Sequence, residues 1–299
     1  MSETVPTGGA APDALTVCDL EPIHVPGAIQ PHGVLLAVDP DRRVVVQASA
    51  NAAALFAAAG GGVLGRPLSD LLPPPALADL DPVFDGAPAD DVGPFQAVVD
   101  GPDGPLVVDL TVSWSGPALV REVEAARHAF LVERVHAPRP VRRALRALEQ
   151  APTLEAMCDA LADEVRELAG YDRVMVYRFS DAWDGEVVAE ARRDDAEPFL
   201  GLRYPATDIP VQARALYRRN RLRIVADVDY APVPVEPALS PLDGAPLDMS
   251  DGVLRSVSPV HVRYLQNMGV RATMTISLLH RGELWGLVAC HHEIGRAHV

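Results

Sequence analysis

Positive charge is scarce in this chain. Its 299 residues carry 26 Lys and Arg against 41 Asp and Glu, a net charge of −15, which argues against nucleic acid and anionic membrane as general partners. Cysteine is scarcer still, with only Cys18, Cys158 and Cys290. Their spacing fits no zinc motif, and an odd count without an export signal argues against a disulfide framework. No uncharged apolar run reaches the length of a membrane span, and the N-terminus has no basic region followed by an apolar one. A cytoplasmic protein is therefore expected. There is no Walker loop, dinucleotide glycine fingerprint or serine-hydrolase elbow, and no repeat at a solenoid period.

What is present describes a globular chain, 48% hydrophobic and long enough for two cores. Residues 1–17 are small, polar and Pro/Gly-bearing, and are expected to form a disordered arm. A first α+β domain is expected over 18–136. Its strands are GVLLAVD, RVVVQAS, PFQAVVD, PLVVDLTVSW and ARHAFLVERV, with a short helix at NAAALFAA. A Pro- and Arg-rich junction, HAPRPVRR, leads to a second α+β domain over 137–292. It opens with helices at VRRALRALEQ and TLEAMCDALADEVRELAG. In the second of these Leu154, Met157, Cys158, Leu161, Val165 and Leu168 fall at helical spacing and Gly170 supplies a stop. Strands DRVMVYRF and EVVAEARR, helices VQARALYRRN and SPVHVRYLQNMG, and a hairpin of ATMTISLLH and ELWGLVACHH around Arg281-Gly282 complete it. The tail EIGRAHV, 293–299, reads as translated sequencing adapter, so the second domain is expected to be truncated and the gene to continue past His292.

Several residues can carry chemistry, each beside a plainer reading. Cys158, in a helix, and Cys290, in an apolar strand, read as buried, inert thiols. Cys18, in the N-terminal arm, is a free thiol of no consequence, half of a disulfide, or a covalent attachment point. In ATMTISL, Met274, Ile276 and Leu278 share one face and Thr273, Thr275 and Ser277 the other; the hydroxyl face suits solvent or a polar ligand. Met175, Tyr177 and Phe179 share a face of DRVMVYRF and suit either core packing or the floor of a pocket for a flat ligand. His261, Tyr264, Leu265 and Met268 share a helix face, as core or as hydrogen-bonding groups turned inward. Arg214, Arg218, Arg219, Arg221 and Arg223, with Arg255 downstream, form either a solvated basic face or an anion site. YPATDIP, with Pro at both ends, is kept out of the helix and its carbonyls are fixed. His291 and His292 are adjacent on a strand and face opposite ways, so no two-ligand metal site is expected there.

Taken together, EPIHVPGAIQPHG, VMVYRF, YPATDIP, VLRSVSPVHVRYLQNMGV and LWGLVACHH resemble the PAS–GAF photosensory region of the bacterial phytochromes, over nearly everything from Cys18 to His292. The departure in the central motif is Thr207, where the family usually has Ser. The resemblance implies a PAS-like domain followed by a GAF-like domain, each an antiparallel sheet with flanking helices, joined by a figure-of-eight knot. In that knot Ile29 would be encircled by the loop from about Asp227 to Ser256.

The resemblance also implies a linear tetrapyrrole cofactor, biliverdin IXα, attached covalently to Cys18. The cysteine that plant-type members use has Val260 in its place. By the same resemblance Arg223 and Arg255 would clamp the two propionates, with hydroxyls from Ser258, Thr273, Thr275 and Tyr217. Pyrrole N–H groups would meet the Asp208 carbonyl, in the Asp208-Ile209-Pro210 segment, and a water held with His261. Met175, Tyr177, Tyr204 and Tyr264 would surround the D ring, and His291 would hold its carbonyl. The implied function is red/far-red light sensing by D-ring isomerisation. Full-length members add PHY and histidine kinase modules and are commonly homodimers. The chain itself is expected not to be an enzyme. A PAS/GAF sensor of a cyclic nucleotide or heme is the alternative.

Overall fold

The computed structural model describes residues 21–57, 60, 62–89, 94–126 and 139–293. Cys18 and the tail after residue 293 lie outside them, as does the expected strand ARHAFLVERV apart from its first residue.

Two antiparallel sheets organise the chain. The first has seven strands in the order β1-β11-β3-β2-β6-β5-β4: β1 Ala28–Ile29, β2 Gly33–Asp39, β3 Val44–Ser49, β4 Phe95–Gly101, β5 Gly104–Ser115, β6 Ala118–Ala125 and β11 Val233–Glu236. Strand β2 is buried along its whole length because it is central and covered on both faces. One face packs on a core of Val34, Leu36, Val38, Phe56, Leu80, Leu110 and Val123 under the short helices α1 Ala52–Leu55, α2 Pro74–Ala78 and α3 Asp81–Phe84. The other face packs Leu35, Ala37 and Val120 against Leu247, Met249 and Leu254 of the second domain.

The second sheet has six strands in the order β10-β12-β13-β7-β8-β9: β7 Arg173–Phe179, β8 Gly185–Arg192, β9 Arg203–Tyr204, β10 Leu222–Val225, β12 Ala272–His280 and β13 Glu283–His292. The β12–β13 hairpin turns at Arg281 and Gly282, both at positive φ (52° and 83°), as the twist of a two-residue hairpin requires. Helices α4 Arg139–Glu149 and α5 Leu154–Ala169 cover one face. Helix α5 starts where the Thr153 side chain accepts the Ala156 N–H at 3.1 Å and stops at Gly170, φ 71°. Its apolar stripe is narrower than the spacing predicts. Cys158 and Ala162 are buried with Leu161 and Val165 packed beside them, whereas Leu154, Met157 and Leu168 are exposed. The opposite face of the sheet carries α6 Val211–Arg219 and α7 Pro259–Asn267.

The expected β-strands are present up to β5, but β6 was not foreseen: its sequence is ALVREVEA, and three charged side chains hide its apolar period. The two domains interlock. A long excursion from the second domain carries β11, which pairs with β3 and β1 of the first sheet. Ile29, fully buried, pairs with Val233 on one side and bridges Arg255 on the other. The Gln30 N–H donates to the Leu254 carbonyl at 2.8 Å and the Ser256 N–H to that of Ala28 at 3.0 Å. Segment 27–30 is thus held between the two arms of the excursion. Gln30 also ties into β10, its Nε2 donating to Ile224 O at 2.8 Å.

Candidate functional site

Between the excursion, α6, α7 and the hydroxyl face of β12 lies a cleft of about 430 Å³. Eleven of the expected residues line it: Asp208, Ile209, Pro210, Tyr217, Arg223, Arg255, Ser258, His261, Tyr264, Thr273 and Thr275. Thr273 and Thr275 face the cleft, while Met274, Ile276 and Leu278 pack into the core below α5, so the period of two assigns each face correctly. Tyr217 hydrogen-bonds Thr275, and burial pushes its hydroxyl pKa up.

The two arginines sit at the end of the cleft nearest the excursion. Arg255 Nη1 donates to the Ile23 carbonyl at 2.6 Å, and Arg223 Nη1 to that of Val253 at 3.3 Å. Their partners are neutral carbonyls, and the Arg255 Nε is buried without any hydrogen-bond partner. Burial, then the neighbouring Arg223, pushes the Arg255 pKa down to about 9, and burial lowers that of Arg223. Two desolvated cations side by side are costly, and an anion between them relieves both. Ser258, which caps α7 by accepting the Val260 N–H, also donates to Glu21 Oε2 at 2.7 Å. A carboxylate of the chain, Glu21, therefore also lines the cleft.

Three other arginines of the basic cluster are structural, and Arg221 is exposed. Arg219 pairs with Asp251, Arg218 with Glu283, and Arg214 Nη1 donates to the carbonyls of Ile209 (2.7 Å) and Ala206 (3.2 Å). Arg214 thereby pins YPATDIP, whose 206–208 form one 3-10 turn. Burial raises the Asp208 carboxyl.

The remaining four expected residues do not line the cleft. Met175 and Tyr177 belong to an apolar cluster behind it, with Tyr204, Ile209 and Tyr217 at its margin. The Tyr177 and Tyr204 rings lie 6.0 Å apart. Ile209 and Tyr217 belong to both groups and join them. His291 pairs across the sheet with Thr273 and is buried, its Nδ1 without a hydrogen-bond partner. Burial first, then Arg173 and His261, pushes its pKa down to about 4. His261 is likewise lowered to about 4, by burial and Arg223, and stacks on Tyr264 with ring centroids 6.0 Å apart. The helix face expected to be shared divides: His261 and Tyr264 line the cleft, and Leu265 and Met268 pack in a separate cluster. His292 turns the other way, Nδ1 against Asp172 Oδ2 at 2.9 Å. Cys158 and Cys290 are buried, and burial raises both thiol pKa values. Among the described residues no cluster of His, Cys, Asp or Glu is arranged to hold a metal ion, and no helix is long and apolar enough to cross a membrane.

Glu21, Ile23 and Glu122 were missed. Glu21 and Ile23 lie in a quoted motif but carry no periodic signal, and Glu122 reads as a solvent-facing charge.

The first domain matches the PAS fold over residues 18–126 and the second the GAF domain over 153–298. A PAS fold followed by a GAF domain with a ligand-sized cleft defines a sensory module. The bacteriophytochrome of Xanthomonas campestris is 42% identical over 93% of this chain, and that of Pseudomonas aeruginosa 42% identical over 94%. The solved chromophore-binding domain of Stigmatella aurantiaca phytochrome is 43% identical, with a TM-score of 0.85 over 94% of this chain and 92% of its own. The chain belongs to the bacterial phytochromes and corresponds to their PAS–GAF photosensory region. It spans about two fifths of the length of those two curated relatives, 43% and 38%.

Proposed function

We propose that this chain is a red-light-sensing module that binds biliverdin in the second-domain cleft and attaches it to Cys18. The observation that carries the reading is the arginine pair: Arg223 and Arg255, desolvated and bonded only to neutral carbonyls, beside three hydroxyls from Ser258, Thr273 and Thr275. That end suits a ligand with two carboxylates. The apolar cluster of Met175, Tyr177 and Tyr204 beyond Ile209 suits a flat conjugated body. When bound, the bilin supplies visible absorption and the double bond to its D ring that isomerises in red light.

In this reading Arg223 and Arg255 bind the propionates, and the Glu21 carboxylate gives up its place at Ser258. The Asp208 carbonyl, fixed by the turn that Arg214 pins, accepts pyrrole N–H bonds. His261 holds a bridging water, and Tyr217, Thr273 and Thr275 add hydrogen bonds. Met175, Tyr177, Tyr204 and Tyr264 enclose the D ring, and His291, with its open Nδ1, binds that ring's carbonyl. Cys18 would hold the bilin as a thioether, its S–H adding across a carbon–carbon double bond of the A-ring side chain with sulfur on one carbon, the proton on the other and no leaving group. Cys18 is three residues from Glu21, a reach of at most about 11 Å. The addition occurs once per chain, so it is not turnover. Closure of the excursion round segment 27–30 as a knot, a cytoplasmic location, homodimerisation and control of a kinase output belong to the same proposal.

The test is co-expression with heme oxygenase, then a denaturing gel stained with zinc. A fluorescent band that Cys18→Ser abolishes supports the reading. A protein with no zinc-fluorescent band and no bilin absorption supports the alternative of a PAS/GAF sensor for a cyclic nucleotide or heme.

A further inference from the structure

One carboxylate of the first domain reaches the arginine end of the cleft. Along β6, Leu119, Arg121 and Val123 turn to one face, and Val120 and Glu122 to the other, against the excursion. Glu122 is 3% exposed. Its Oε2 accepts the Val253 N–H at 2.7 Å and its Oε1 the Leu254 N–H at 2.9 Å. Thr111 Oγ1 lies 3.4 Å from Oε2. Close approach depends on Gly252, because a Cβ there would stand 2.8 Å from Oε1.

The same short segment is tied on its carbonyl side. Asn220 Nδ2 donates to Gly252 O at 3.2 Å, Arg223 Nη1 to Val253 O at 3.3 Å, and the Gln30 N–H to Leu254 O at 2.8 Å. Leu254 itself is fully buried and presses on Gly33, where a Cβ would stand 2.7 Å from its Cδ1. The next residue is Arg255. The peptide unit joining Val253 to Leu254 therefore lies between a carboxylate on the Leu254 N–H and a guanidinium on the Val253 C=O, a polarised chain in which each bond strengthens the other. Burial raises the Glu122 carboxyl and the two amides lower it, while its field supports the charge on Arg223.

We propose that Glu122 is a positioning residue for anion recognition: by binding the Val253 and Leu254 amides it fixes the backbone from which Arg255 enters the cleft and orients Arg223 through the Val253 carbonyl. The first domain thus sets the geometry of the second domain's clamp for carboxylates, across more than 100 residues of sequence. The inference rests on the reading that the ligand's propionates meet these arginines.

The test compares uptake of biliverdin with uptake of biliverdin dimethyl ester, in which both propionates are esterified. The proteins are wild type, Glu122→Gln and Gly252→Ala, followed by absorbance. Glutamine keeps the shape but sets an NH2 against one of the two amides. Alanine at 252 pushes the carboxylate away while leaving Glu122 in place. Both variants should weaken biliverdin uptake about ten-fold, the worth of one charge-assisted hydrogen bond, and leave ester uptake within about two-fold of wild type. In the empty protein, hydrogen exchange should quicken at the Val253 and Leu254 amides while β12 and β13 keep their protection. Equal losses for the two pigments, no loss for biliverdin, or a general rise in exchange would overturn the inference while leaving the bilin reading intact. A wild type that takes up neither pigment would overturn both.

Discussion

Replacing Arg121 by Leu should make this protein more stable. Arg121 lies on β6 between Leu36 and Val112, fully buried in the first-domain core, and none of its three guanidinium nitrogens has a hydrogen-bond partner. Its compensations are the Phe95 ring, 4.9 Å from Cζ, and the field of Asp79. Burial pushes its pKa far below the ordinary guanidinium range, down to about 9, which at about 1.4 kcal/mol per pH unit penalises the charged form by several kcal/mol. The cation–π contact returns about 1–2 kcal/mol, and leucine suits a site between Leu36 and Val112. Comparable replacements of buried charges by apolar side chains gain about 1–4 kcal/mol, and that is the expected gain here.

The assay is urea unfolding at pH 7, with the midpoint raised at unchanged slope. The sign of the pH dependence follows from the lowered pKa. The penalty is full below about pH 9 and fades above it, as the buried guanidinium loses its proton before that of the unfolded chain does. The gap between variant and wild type should be flat from about pH 6 to 8 and should narrow above about 9. An Arg121→Leu protein less stable than wild type would refute the reasoning, because it would mean that the guanidinium has a binding partner in the folded protein.

Three further outcomes follow from the same geometry. His291, buried and lowered to about 4 from an ordinary 6.5, stabilises the fold above about pH 6.5 and loses that contribution as pH falls to about 4, since the unfolded chain takes the proton first. His291→Gln should flatten this acid slope by up to about 3 kcal/mol, read from urea midpoints at pH 7 and 4.5; an unchanged slope contradicts it. A Cβ at Gly185 would stand 1.9 Å from Tyr177 Cζ, so Gly185→Ala should cost about 1–3 kcal/mol by overpacking. Tyr177→Ala should cancel most of that loss in the double variant, and additive losses would show that the ring is not the obstacle. Arg255→Ala should weaken biliverdin uptake about ten-fold or more, with Arg255→Lys intermediate because the fork is lost but the charge kept; uptake at wild-type strength would remove Arg255 from the clamp.

Four of the six strands of the second sheet, β7, β8, β12 and β13, were legible from their apolar and β-branched runs and the local hairpin turn, whereas the short β9 and β10 were not foreseen. The face assignment of β12 needed only a period of two, and Thr273 and Thr275 do line the cleft. The arginines were legible as a cluster but not individually, because whether a guanidinium meets Asp251, Glu283 or a backbone carbonyl is decided by tertiary placement. Strand β6 was illegible because Arg121 and Glu122 read as solvent-facing, and the fold buries both. Glu122 had no signal at all, since its partners Val253 and Leu254 are 131 and 132 residues away. The α5 stripe was overread: Leu154, Met157 and Leu168 fit the period but not the face that touches the sheet.

The most direct measurement is the intact mass and absorption spectrum of the purified chain after incubation with excess biliverdin and denaturation. The account predicts a gain of one biliverdin mass, retained colour in the red, and loss of both in Cys18→Ser but in neither Cys158→Ser nor Cys290→Ser. A wild-type chain that stays colourless with unchanged mass would contradict it.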